Sequence, residues 1–233
     1  MDVTGSEGSG TRRADTAAGG GGAGGVTRGL LGCGALAGPV YLVVGLVQAF
    51  TRPGFDITRH DLSLLSNGGL GWIQVGNFIV TGLLVVAGAM GLRRALREGR
   101  ARTWGPLLVG VYGLGLIGAG IFVADPAAGF PPGTPADAHA ISWHGLMHLA
   151  AGAIGFLALI VACLLFARRF AGRGETAWSV FSAIAGVVFL AGFFGIASGS
   201  GSTATVLGFW AALALVWSWL SALSVRLTIE EGR

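Results

Sequence analysis

His144 and His148 stand four residues apart in the run SWHGLMHL, so on a helix both imidazoles project from one face. That spacing suits two nitrogen ligands on a single metal ion. Asp125, upstream in FVADP, can add an oxygen ligand or orient an imidazole. Zinc is the metal that such a His, His, Asp set would hold. Asp61 and Ser63, in RHDLSLLSNG, form a second candidate group with a carboxylate beside a hydroxyl, and are the candidates for catalysis.

Each of these residues also has a plainer reading. A histidine at a membrane boundary is amphipathic and sits comfortably among headgroups. His148 lies one turn deeper than His144, where a polar side chain must be paired, and Asn77 or Asp125 is the expected partner. Ser63 reads as a helix cap or loop residue. No glutamate separates the histidines as HExxH would require, and no GxSxG turn or Walker A loop occurs, which argues against a zinc protease, a serine hydrolase elbow and nucleotide hydrolysis.

The elements that must position these groups follow from composition. The 233 residues are 53% hydrophobic and only 11% charged, against about 25% charged in a soluble domain. Mean hydropathy is +0.72. Such a chain cannot cover a water-facing surface, and six apolar stretches of about 20 residues each are long enough to span a bilayer. The expected fold is therefore all-α, a bundle of six transmembrane helices.

All 15 basic residues are arginine, and 13 of them flank alternate connections and the two ends of the chain. Arg93, Arg94, Arg97, Arg100 and Arg102 follow the second stretch, and Arg168, Arg169 and Arg173 follow the fourth. The opposite loops hold only Arg52 and Arg59. Cytoplasmic loops retain positive charge, so both termini are expected inside. The four histidines, His60, His139, His144 and His148, then gather outside with Asp56, Asp61, Asp125 and Asp137.

Three units are expected: a disordered Gly-rich tail over 1–28, a six-helix membrane domain over 29–226 and a short cytoplasmic tail over 227–233. The first has too few bulky apolar residues to offset the entropy of ordering, and it lacks a signal-peptide core, so the first span reads as a retained anchor. Spans are expected near 30–50, 72–92, 104–124, 142–167, 177–197 and 205–225. Pro39 should kink the first. Asp125-Pro126 should end the third. Gln74, Asn77 and Thr81 make a polar stripe on the second, which must face other helices because lipid cannot satisfy amides. Gly110, Gly113, Gly115, Gly118 and Gly120 on the third should permit close backbone approach. Trp72, Trp104, Trp143 and Trp178 are placed as an interfacial belt. Cys33 and Cys163 read as small buried residues.

A net charge of +4 does not imply nucleic acid here, since the arginines flank apolar spans and there contact anionic lipid headgroups. Membrane lipid is the expected partner. The abundance of Ala, Gly and Arg with no lysine suggests a high-GC bacterial genome, hence a multi-pass protein of a bacterial plasma membrane.

The stretches FDITRHDLSLLSNGGLGWIQVGNFIVTGLL, GIFVADPAAGFPPGTP and SWHGLMHLAAGAIGFLAL together resemble the DUF998 family of membrane proteins. The similarity covers about residues 30–225. Asp61 and Ser63 occupy its D-x-S loop, Asp125 and Pro126 its F-x-x-D-P, and His144 and His148 open the fourth helix as in the family. The resemblance implies a six-helix integral membrane protein and assigns no activity. Ser, Asp and paired His also resemble, more distantly, the ceramidase-like membrane hydrolases, which have seven helices in a different order. Two functions compete on these residues: a metal-dependent hydrolase acting on lipid, and a small proton-linked transporter or sensor.

Overall fold

The computed structural model describes residues 11–138 and 140–232, with side chains from residue 24 onward. His139, Arg233 and part of the Gly-rich tail lie outside the described residues. Six helices follow in order: α1 (Thr11–Thr51), α2 (Gly71–Ala95), α3 (Ala101–Ile121), α4 (Trp143–Ala171), α5 (Thr176–Ala197) and α6 (Thr203–Glu230), with a short 3-10 helix, Leu62–Ser66, between α1 and α2. Each is long and apolar enough to cross a membrane, α1 over Gly24–Thr51. The described residues contain no β-strand, only an isolated bridge between Ala127 and Phe130.

Every helix packs against its neighbours in sequence, and α6 closes on α1 to complete a ring. Short connections at Leu96–Arg100, Gly172–Glu175 and Ser198–Ser202 force the joined helices antiparallel. All the short arginine-bearing connections thus fall at one end of the ring. The other end carries the two long loops, 52–70 and 122–142.

Glycine sets the helix spacing. A Cβ on Gly88 of α2 would lie 2.7 Å from the Cα of Gly34 on α1. One on Gly115 of α3 would lie 2.7 Å from the Ala151 carbonyl oxygen of α4 and 3.0 Å from the Cα of Gly155. Backbone thus meets backbone, which is how helices associate tightly when lipid removes the hydrophobic drive between them. Large rings fill the interior between the helices: Trp217, Trp219, Phe166 and Phe189 are fully buried.

The polar stripe of α2 faces inward. Gln74 accepts from Gln48 Nε2 at 2.9 Å, Asn77 Nδ2 donates to the Tyr41 carbonyl at 3.1 Å, and Thr81 donates to Asn77 Oδ1 at 3.2 Å. All three stripe residues are buried. Trp72, Trp104 and Trp143 stand exposed at helix ends, as a belt requires. Trp178 is instead half-buried beneath Arg226, whose guanidinium lies 4.9 Å from its ring centroid. Arg226 also pairs with Glu175 and, at 2.8 Å, with Glu230, tying the α4–α5 connection to α6.

α1 runs through Pro39 as one helix, with that proline exposed on the lipid side. α3 stops at Ile121, a turn short of Asp125-Pro126. At that end a histidine of α4, His148, meets the carbonyls of Ala119 and Phe122.

Candidate functional site

A cavity of about 320 Å3 lies inside the ring toward the arginine-poor end. All six helices and the 3-10 helix contribute to its wall. Most of that wall is apolar, with Phe78, Phe156, Phe193 and Phe209 supplying rings. Its polar groups are Tyr41, Asp61, Ser63, Tyr112 and His148. Small residues create the space: a Cβ on Gly152 of α4 would meet nothing within 4 Å. Leu149 and Ala197 belong both to the cavity wall and to the exposed surface, and no residue of α5 from 190 to 197 is buried. The gap between α4 and α5 is therefore the side on which the cavity comes nearest to lipid.

His148 is buried, and its Nδ1 lies 2.8 Å from the Phe122 carbonyl oxygen and 3.0 Å from that of Ala119. Two acceptors around one nitrogen require that nitrogen to carry the proton, which assigns the tautomer. The ring thereby satisfies carbonyls that the end of α3 leaves open. In the neutral ring Nε2 then bears the lone pair, and it has no hydrogen-bond partner among the described residues. His148 is the deeper histidine that needed a partner, but that partner is α3 backbone, with Asn77 occupied at Tyr41.

Asp61 precedes the 3-10 helix and caps it. Its Oδ1 accepts from the Ser63 backbone N–H at 2.9 Å and also from the Ser63 hydroxyl. Asp61, Ser63 and His148 line one cavity, although Asp61 and His148 are 87 residues apart in the sequence.

Asp125 and His144 sit elsewhere. Both Asp125 oxygens hold Ser142, Oδ2 accepting from its N–H at 2.7 Å and Oδ1 from its hydroxyl at 2.6 Å. Ser142 in turn caps α4 by accepting from Gly145 N–H at 3.1 Å. A Cβ on Gly145 would fall on the Asp125 carboxylate, so glycine is required there. His144 is exposed and stacks on Trp143 with ring centroids 3.6 Å apart. Among the described residues no group of three or more His, Cys, Asp or Glu is placed to hold a metal ion. Both Asp125 oxygens and His148 Nδ1 are engaged at helix ends, and His144 packs on Trp143. Replacing Asp125 with alanine should instead weaken the α4 cap by about 1–2 kcal/mol, while Asp125→Asn, which keeps an acceptor for Ser142, should cost less. Thermal unfolding in detergent measures both. Equal loss in the two variants would argue against a capping role.

The long loops fold into a lid over the cavity. Arg52 donates to the carbonyls of Leu65 at 2.9 Å and Asn67 at 2.6 Å, and its guanidinium lies 5.3 Å from the Phe130 centroid. Desolvation there holds its pKa below the ordinary arginine value. His60 accepts from Asp56 N–H at Nδ1 and lies 3.0 Å from the Ala128 carbonyl at Nε2, so both of its nitrogens are engaged. Trp210 of α6 donates to the His60 carbonyl at 3.1 Å, tying the lid to the bundle. Asp56, on the exposed rim, has its carboxyl held below the usual range by the Thr58 hydroxyl and N–H. That increment of stability is present above the ordinary carboxylate pKa and is lost as pH falls through the lowered one.

The family described as "Protein of unknown function (DUF998)" matches residues 35–226. The chain belongs to the DUF998 family. No curated protein and no solved structure matches it. The matched region of this DUF998 protein contains all six membrane-spanning helices in whole or in large part, the lid and the whole cavity wall. Sequence reading of the DUF998 chain missed Tyr41, Tyr112 and Arg52. Tyr41 and Tyr112 are the chain's only tyrosines, and their placement within apolar spans was the available signal.

Proposed function

We propose that this multi-pass membrane protein, of a bacterial plasma membrane with both termini cytoplasmic, binds an amphiphile drawn from the bilayer. The cavity carries this reading: an apolar space whose side lies near lipid and whose outer end presents Asp61, Ser63 and His148. An apolar tail fits the ring-lined interior, and a polar group fits the end where the carboxylate and imidazole lie. Small-molecule sites range over about 300–1,000 Å3, so the cavity suits a single chain better than a pair. Binding is the step this geometry supports, and lipid hydrolysis and proton-linked transport would both begin from it.

Filling the open space at Gly152 tests the reading. The full-length protein extracted gently should retain an amphiphile by native mass spectrometry, and Gly152→Phe should remove it while leaving the fold intact, because the new side chain starts in open space, with nothing within 4 Å of its Cβ. A wild-type protein that carries no amphiphile, or a folded Gly152→Phe variant that carries the same one, overturns it.

Orientation has its own test. The arginine asymmetry leads us to expect that single cysteines placed at 131–135 will react with an impermeant maleimide in intact cells. Cys163 is buried and Cys33 half-buried, which keeps the background low. Labelling only after lysis would invert the topology.

A further inference from the structure

The cavity has one carboxylate and no arginine in its wall. Asp61 is half-buried, and it takes part in none of the ion pairs among the described residues. The two arginines on the same lid segment are engaged with carbonyls instead, Arg52 with Leu65 and Asn67, and Arg59 with Ala128. Ser63 directs both of its donors to Oδ1, leaving Oδ2 without a hydrogen-bond partner among the described residues. His148 adds a second acceptor, since its Nδ1 proton is committed to the α3 carbonyls and Nε2 keeps the lone pair. Tyr41 and Phe78 line the same space, and aromatic rings favour cations over their faces.

A carboxylate in an apolar cavity is costly without a counter-ion. The open valences are the acceptors Asp61 Oδ2 and His148 Nε2 and the hydroxyls of Tyr41 and Tyr112, which can accept as well as donate, and the only charged side chain in the wall is the carboxylate. We infer that the bound amphiphile has a single chain and a cationic, hydrogen-bond-donating headgroup, a protonated amine, which takes Asp61 as its counter-ion and donates to His148 Nε2. This rests on the cavity being the binding site proposed above. An anionic headgroup, by contrast, would face Asp61 with no positive side chain to receive it.

The test compares two probes of equal chain length, dodecylamine and dodecanoate, on the full-length protein in nanodiscs of zwitterionic lipid. Binding is read by native mass spectrometry and by the shift in unfolding temperature. We expect the amine to bind at least tenfold more tightly. Asp61→Asn should erase that preference, since asparagine Oδ1 can still accept from Ser63 and hold the 3-10 helix while the charge is gone. Should that variant fail to fold, the wild-type preference decides alone. If both probes bind alike and Gly152→Phe excludes both, the headgroup inference falls and the cavity reading stands. If neither probe binds, or Gly152→Phe leaves binding unchanged, the cavity reading itself falls and carries the inference with it.

Discussion

Gly115→Leu is expected to eliminate the folded, monodisperse fraction in detergent, whereas Gly118→Leu on the same helix should leave a folded but weakened protein. The difference comes from what each new Cβ meets. At Gly115 it would lie 2.7 Å from a backbone oxygen and 3.0 Å from a backbone carbon of α4, and neither can move without displacing that helix. At Gly118 the one neighbour within 4 Å is the Ala151 methyl at 3.0 Å, so a local helix shift of a few tenths of an ångström relieves the contact. Ordinary overpacking costs about 1–3 kcal/mol, and that range applies to Gly118→Leu. Gly115→Leu must also separate α3 from α4, and with them the wall of the cavity. Size-exclusion profiles and unfolding temperatures decide the matter. Equal stability of the two variants would show that α3 does not meet α4 through Gly115.

The residues that a bilayer constrains were legible in the sequence. Six spans followed from hydropathy, the polar stripe of α2 from helical spacing, and the close helix contacts from the glycines of α3. All depend on local pattern plus a uniform surrounding solvent. The roles of the ionisable side chains depend on which backbone they meet across the fold, and spacing does not encode that. Asp125 and His148 share one corner of the protein yet never join, because Asp125 holds the start of α4 while His148 holds the end of α3. His60 and His148 are both buried, but only His148 keeps a nitrogen without a partner. The cavity was invisible for a related reason. It arises where Gly152 and Ala153 on α4 face the loosely covered half of α5, and no property of either helix alone announces it.

His148 serves the fold through one nitrogen and is offered to the cavity through the other, so two substitutions should separate the roles. His148→Leu removes the donor and leaves the Ala119 and Phe122 carbonyls unpaired in an apolar setting. Each unsatisfied group of this kind costs about 1–3 kcal/mol. The variant should unfold at lower temperature, and amide exchange should rise first at the end of α3. His148→Asn places an amide N–H near the position of Nδ1, so it can still donate to those carbonyls, but nothing replaces Nε2. It should keep most of the stability and lose the retained amphiphile. The asparagine variant thus isolates the cavity-facing nitrogen from the capping one. A leucine variant as stable as wild type would remove the capping role. An asparagine variant that folds and still holds its amphiphile with undiminished affinity would show that Nε2 takes no part in binding, and would leave Asp61 as the polar group that receives the ligand.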